Sequence, residues 1–217
     1  MSMDLLEDKS DERDYALERL IMLSDGVFAI AITLLALELR PPEGWDHTLV
    51  SLSALMWRQG LAFLISFIII AGFWIAHRKM FGRFRSADMG LTVLNMVMLC
   101  AITLVPVANN IAFEGGPTGG GFVLYWAIFT LLGLANAAIW AYAAFARPAL
   151  FRSVPPRNAR LLTLVLLLIM PVSMPLLGLV TSGTADVWII VPVLGLVLLA
   201  RVFRSRLKRT LDPEWRP

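Results

Sequence analysis

Residues 19–37 read Arg19-Leu-Ile-Met-Leu-Ser24-Asp25-Gly26-Val-Phe28-Ala-Ile30-Ala-Ile-Thr33-Leu-Leu-Ala-Leu37. A helix needs about 20 mostly apolar residues to cross the hydrocarbon core of a bilayer, and this stretch supplies nearly all of them. It also carries one carboxylate, Asp25. A charged side chain inside a membrane helix costs at least a few kcal/mol, so it is rarely kept for packing alone. The stretch therefore marks the chain as membrane-embedded helix and singles out its most informative residue.

The same pattern recurs along the chain, which is 58% hydrophobic and 16% charged. Six long apolar blocks lie near 20–39, 59–76, 89–112, 121–146, 160–181 and 186–203. They are continuous runs rather than the period-two alternation of barrel strands. The first 19 residues are polar and acidic, unlike the basic and then apolar start of a cleavable signal. The expected class is an all-α polytopic membrane protein with six transmembrane helices. A polar segment 1–19 precedes a membrane domain 20–203, and a basic tail 204–217 follows it.

Charge sets the orientation. Lys9, Arg13 and Arg19 precede the first span, and Arg78, Lys79, Arg83 and Arg85 lie between the second and third. Arg147, Arg152, Arg157 and Arg160 lie between the fourth and fifth. Arg201, Arg204, Arg206, Lys208, Arg209 and Arg216 sit at the C-terminal end. Only Arg40 and Arg58 fall on the other side, so 17 of 19 cations share one side. Positive residues mark the cytoplasmic side, which places both termini there, as an even number of spans requires. The basic tail is expected against anionic headgroups, and nucleic acid is not an expected partner.

Enzyme chemistry has little to stand on. Two His and one Cys show no metal-ligand spacing, and there is no paired-carboxylate site. No cofactor and no resident metal are expected. Cys100 reads as a small apolar core residue. The run Gly115-Gly-Pro-Thr-Gly-Gly-Gly121 reads as an outer turn, since it lacks the lysine of a phosphate loop. Pro106, Pro171, Pro175 and Pro192 fall within spans, where proline kinks a helix but is tolerated. Trp45, Trp57, Trp74, Trp126 and Trp188 are expected as interface anchors near span ends.

On a helical wheel of about 100° per residue, Asp25, Ala29, Ile32 and Ala36 share one direction. The two alanines suit close approach to a neighbouring helix. Gly26, Ile30, Thr33 and Leu37 form a second narrow stripe. Periodicity leaves its use open. It could pack against a neighbour, or it could line a pore, where apolar rings gate by dewetting and hydroxyls meet ions.

The segment from Arg19 to Leu35, with Ser24-Asp25 and Ala31-Ile32-Thr33 in place, resembles the endosomal and lysosomal potassium channel family. Its prokaryotic relatives have a single six-helix repeat. The family pattern is Arg, three residues, Phe-Ser-Asp and an apolar stretch with Ala-Ile-Thr; here Leu23 stands in place of the Phe. His77-Arg78-Lys79 and Asn95 also match.

The resemblance implies a homotetramer whose first helices line a central pore, with no re-entrant carbonyl filter loop. It implies a potassium-permeable cation leak channel, passing other monovalent cations too, in a cell's inner membrane. By position, Ile30 would form the constriction, Thr33 a hydroxyl layer, Leu37 an outer ring, with Gly26 on the same stripe. Arg19, Ser24, Asp25, His77 and Asn95 would form a structural polar network. Two alternatives remain: a secondary or proton-coupled transporter using Asp25, and a non-conducting scaffold.

Overall fold

A computed structural model of the chain describes residues 3–40, 47–114 and 121–181. These form six α-helices and no extended sheet: α1 (Met3–Leu37), α2 (Leu49–Phe81), α3 (Met89–Thr103), α4 (Val105–Glu114), α5 (Gly121–Ala141) and α6 (Arg157–Thr181). Among the described residues, five segments are long and apolar enough to cross a membrane. They are Tyr15–Leu37, Gln59–Phe81, Met89–Ala112, Gly121–Ala146 and Arg157–Met174. The chain is thus a multi-pass membrane protein. The block 186–203 expected as the sixth span, with Trp188 and Pro192, lies outside the described residues, as does the tail.

Local chemistry sets the helix ends. Helix α1 runs back through the polar N-terminal segment to Met3 without a break. Thr48 caps α2 by accepting the Ser51 N–H, and Arg78 and Lys79 in its last turn suit the negative end of the helix dipole. Asp88 caps α3, its Oδ1 accepting the Leu91 N–H at 2.8 Å. The third span is two helices, α3 and α4, interrupted at Leu104. Pro106 accounts for the break: it has no N–H for the Ile102 carbonyl, and its ring crowds that carbonyl. Helix α5 ends in a π turn, Tyr142–Ala146, in which the Arg147 N–H reaches the Tyr142 carbonyl at 2.9 Å.

Helix α5 packs against α3, α4 and α6, and α1 against α2, α3 and α4. The buried face of α1 is Leu17, Leu20, Ser24, Phe28, Ala31 and Leu35, at spacings of three or four. On α5 the buried face runs from Tyr125 through Phe129, Leu132 and Asn136 to Trp140. Gly133 lets α6 come close: a Cβ built there would lie 2.9 Å from the Pro171 ring. Pro171 therefore stays within α6 and serves as a contact rather than an end.

At one end of the bundle two connections join. Phe84 and Phe151 form an antiparallel bridge, with Arg85 N–H on the Leu150 carbonyl at 2.8 Å and Arg152 N–H on the Arg83 carbonyl at 2.9 Å. Inward of it runs a column of rings. Phe151 meets Phe84 at 5.1 Å, Phe84 meets Phe81 at 5.4 Å, and Phe81 stacks on His77 at 4.0 Å.

Two expectations change. Cys100 is exposed on α3 rather than packed in the core. Trp74 lies inside α2, which extends beyond it to Phe81, and its indole N–H points into the bundle.

The Gly133–Pro171 contact is testable. Gly133→Leu should force α5 and α6 apart and cost about 1–3 kcal/mol, the usual penalty for overpacking. Thermal unfolding in detergent should show a lowered midpoint, whereas Leu134→Ala, on an exposed face of α5, should leave it near the parent value.

Candidate functional site

The buried face of α1 meets its neighbours through one polar side chain, Ser24, which is fully buried. Its hydroxyl donates to the Leu20 carbonyl at 2.7 Å and accepts from Asn95 Nδ2 at 2.9 Å. The Asn95 carbonyl oxygen in turn faces His77 Nε2 at 2.8 Å. An amide oxygen only accepts, so this nitrogen carries the proton. The result is a one-way chain of donation from His77 on α2, through Asn95 on α3, to Ser24 on α1, ending on a backbone carbonyl. Among these bonds every donor has an acceptor and no net charge is needed. A buried polar cluster must meet that condition to be tolerated.

Asp25 lies one residue on, about 100° around the helix, and its carboxylate turns elsewhere. Its Oδ1 accepts the Trp74 indole N–H at 2.7 Å. The Arg78 guanidinium lies over the Trp74 ring, 5.6 Å from its centre. Arg19 is placed over the Tyr15 ring at 5.8 Å, one turn earlier on α1. Of the five residues expected to form one network, then, Ser24, His77 and Asn95 bond directly. Asp25 reaches α2 through Trp74 instead, and Arg19 stands apart on α1.

Trp74 is the residue that the sequence reasoning missed. The signal was present. An indole has one donor and no acceptor, so inside a span it must find an acceptor. Asp25, the carboxylate within the first apolar stretch, is such an acceptor. A second buried cluster also went unforeseen: the Ser66 hydroxyl lies 2.9 Å from both Asn109 Oδ1 and the Tyr125 hydroxyl, tying α2, α4 and α5.

The Gly26, Ile30, Thr33 and Leu37 stripe lies on the outward side of α1. Ile30 is 58% exposed and Leu37 69%, and Gly26 and Thr33 are exposed with them. Leu23 also faces outward. The Thr33 hydroxyl donates to the Ile30 carbonyl at 2.8 Å. This back-bond uses its proton and leaves its lone pairs as acceptors. The polar tie and the exposed stripe thus occupy different sides of one helix.

Comparison with known proteins gives a consistent picture. The model of a family described as the endosomal/lysosomal potassium channel TMEM175 matches residues 19–106. A potassium channel from Streptomyces collinus is 30% identical over 131 residues, covering 56% of this chain and 62% of that protein. One from Chamaesiphon minutus is 32% identical over 137 residues, covering 59% and 66%. The chain thus spans a little under two thirds of these relatives' length. A crystal structure of a lysosomal potassium-selective channel TMEM175 homolog from Chamaesiphon minutus superposes with a TM-score of 0.62 at 29% identity. That match covers 88% of this chain and 97% of the other.

Two tests follow from the geometry. Asn95→Leu strands the His77 donor, which should cost about 1–3 kcal/mol and reduce the yield of folded protein on size exclusion. Asp25→Ala and Trp74→Phe each remove the same bond. Their effects on thermal stability should therefore be non-additive, with the double variant little worse than the poorer single one. Additive losses would show that the two side chains act separately.

Proposed function

The chain belongs to the TMEM175 family, and on that premise we propose that it is a potassium-permeable cation leak channel whose pore is lined by α1 of four identical copies. The exposed stripe on α1 carries this reading. Ile30 and Leu37 are large apolar residues turned away from their own bundle. Gly26 on the same stripe and Ala29 and Ala36 beside it are small enough to let further helices approach closely. Four copies around one axis would bring the stripes together.

In that arrangement each residue has a distinct task. A ring of Ile30 side chains offers no ligand to a hydrated ion and acts as a dewetting constriction. Thr33 lies about 4.5 Å further along the axis. With its proton on the Ile30 carbonyl, its oxygen offers lone pairs, as a partly dehydrated cation requires. Leu37 would form a further ring. Ser24, Asn95 and His77 would hold the helix from behind, outside the ion path. The membrane would be a cell's inner membrane, with both termini on its cytoplasmic side. A carrier working through Asp25 is less well supported, because one oxygen of that carboxylate already holds the Trp74 indole.

Reconstitution into potassium-loaded liposomes tests the whole reading. A channel carries current with no coupled gradient and a reversal potential that follows the potassium ratio. Saturable flux coupled to a second ion would favour the carrier. Ile30→Asn should raise conductance several-fold and weaken discrimination between potassium and sodium. Thr33→Val keeps the shape and removes the hydroxyl, so potassium preference should fall while assembly is kept. A conducting Thr33→Val protein with unchanged preference would reduce Thr33 to a packing residue.

A further inference from the structure

The bridge between the 2–3 and 4–5 connections brings Arg85 and Arg152 together, and the two connections themselves carry almost no acid to balance them. Between residues 47 and 113 the sequence contains one acidic residue, Asp88, and between 115 and 185 it contains none. Asp88 is already engaged. It accepts the Leu91 N–H and the Tyr142 hydroxyl at 2.9 Å, and Arg147 lies 3.7 Å from it.

The bridge itself fixes the arrangement. Phe84 and Phe151 are buried and pack ring to ring. Arg83 folds back over the Trp140 ring, 5.8 Å from its centre, whereas Arg85 and Arg152 are exposed. Arg83 and Arg152 are cross-strand partners, bonded through the Arg152 N–H. Two of the arginines are also anchored at the base of the guanidinium. Arg85 Nε donates to the Ala149 carbonyl at 2.9 Å, and Arg152 Nε to the Phe84 carbonyl at 3.0 Å. Each side chain is thus held in place, with its two terminal nitrogens at the far end and no acidic side chain of either connection left for them. Both residues are exposed.

From this juxtaposition we infer that the Arg85–Arg152 side of the bridge is a phosphate-binding site, and that its occupant is the headgroup of an anionic phospholipid. Guanidinium groups held in fixed positions match the oxygens of a phosphodiester. The lipid source follows from position. The neighbouring spans end at Phe81 and Ala146 and begin again at Met89 and Arg157, so the bridge lies just beyond the hydrocarbon, at headgroup depth. Val154, two residues past Arg152, is 51% exposed, as a residue in contact with the acyl border would be.

The test uses the full chain in non-ionic detergent, titrated with phosphatidylglycerol, phosphatidylcholine or inorganic phosphate. Thermal unfolding and native mass spectrometry report binding. Phosphatidylglycerol should bind and stabilise saturably, and phosphatidylcholine should not. Arg85→Gln and Arg152→Gln should each weaken phosphatidylglycerol binding about tenfold, the loss expected for one charge-assisted hydrogen bond. Arg40→Gln, in the connection after the first span, should not. If Arg152→Gln fails to fold, Arg85→Gln still decides, because its backbone bond to Leu150 does not involve the side chain. Protection by inorganic phosphate alone, lost in the same variants, would keep the site but make its source a soluble phosphate. Unchanged phosphatidylglycerol binding in the double variant, or equal weakening by Arg40→Gln, would overturn the site.

Discussion

A buried hydroxyl inside a membrane has no water to fall back on, and Ser24 therefore needs partners from its own fold. Its bond to Asn95, and that of Asn95 to His77, is the constraint on which the rest depends. It fixes α1 against α2 and α3 at one depth and one angle. Trp74 and Asp25 add a second bond a quarter-turn away, so rotation of α1 would break both. With those ties on one side, the opposite side of α1 is free to present Gly26, Ile30, Thr33 and Leu37 to whatever lies beyond the single chain.

The tie is also connected to the end of the bundle. His77 stacks on Phe81, Phe81 meets Phe84, and Phe84 meets Phe151 across the bridge. Aromatic contacts of this kind contribute about 0.5–1.5 kcal/mol each beyond their area. They form an unbroken column from the backbone-bonded connections to the polar anchor of α1. The column therefore links the bridge that carries the arginines to the polar anchor of the first helix.

Much of this was legible in the amino-acid order, because hydropathy over 20 residues is a strong signal. The third block, 89–112, matches its span to the residue, and the fourth, 121–146, does so once the π turn is included. Ser24, His77 and Asn95 could be placed together only through the family resemblance, since their separation along the chain gives no geometric clue. Trp74 was misread because tryptophans near block ends are usually interface anchors, and the block as read from hydropathy stopped at 76. The helix in fact continues to Phe81 and carries Arg78 and Lys79 in its last turn, where cations suit the helix dipole. The Phe84–Phe151 bridge could not be foreseen. It is one residue pair between two short connections, and no periodicity marks it.

The adjacency of Ser24 and Asp25 gives α1 the property of a keyed shaft. One residue engages α3 and the next engages α2, so the helix has a single seating. Changes of side-chain size along the outward stripe leave that seating intact. A change of length does not: deleting one residue between Asp25 and Ile30 would turn everything beyond it by about 100°. Ala31, Leu34 and Glu38 would then occupy the positions of Ile30, Thr33 and Leu37, and an acid would stand in place of Leu37 on the outward stripe. Over these few turns the spacing of residues is therefore a stricter requirement than their identity, and variation in the first helix is confined to substitution.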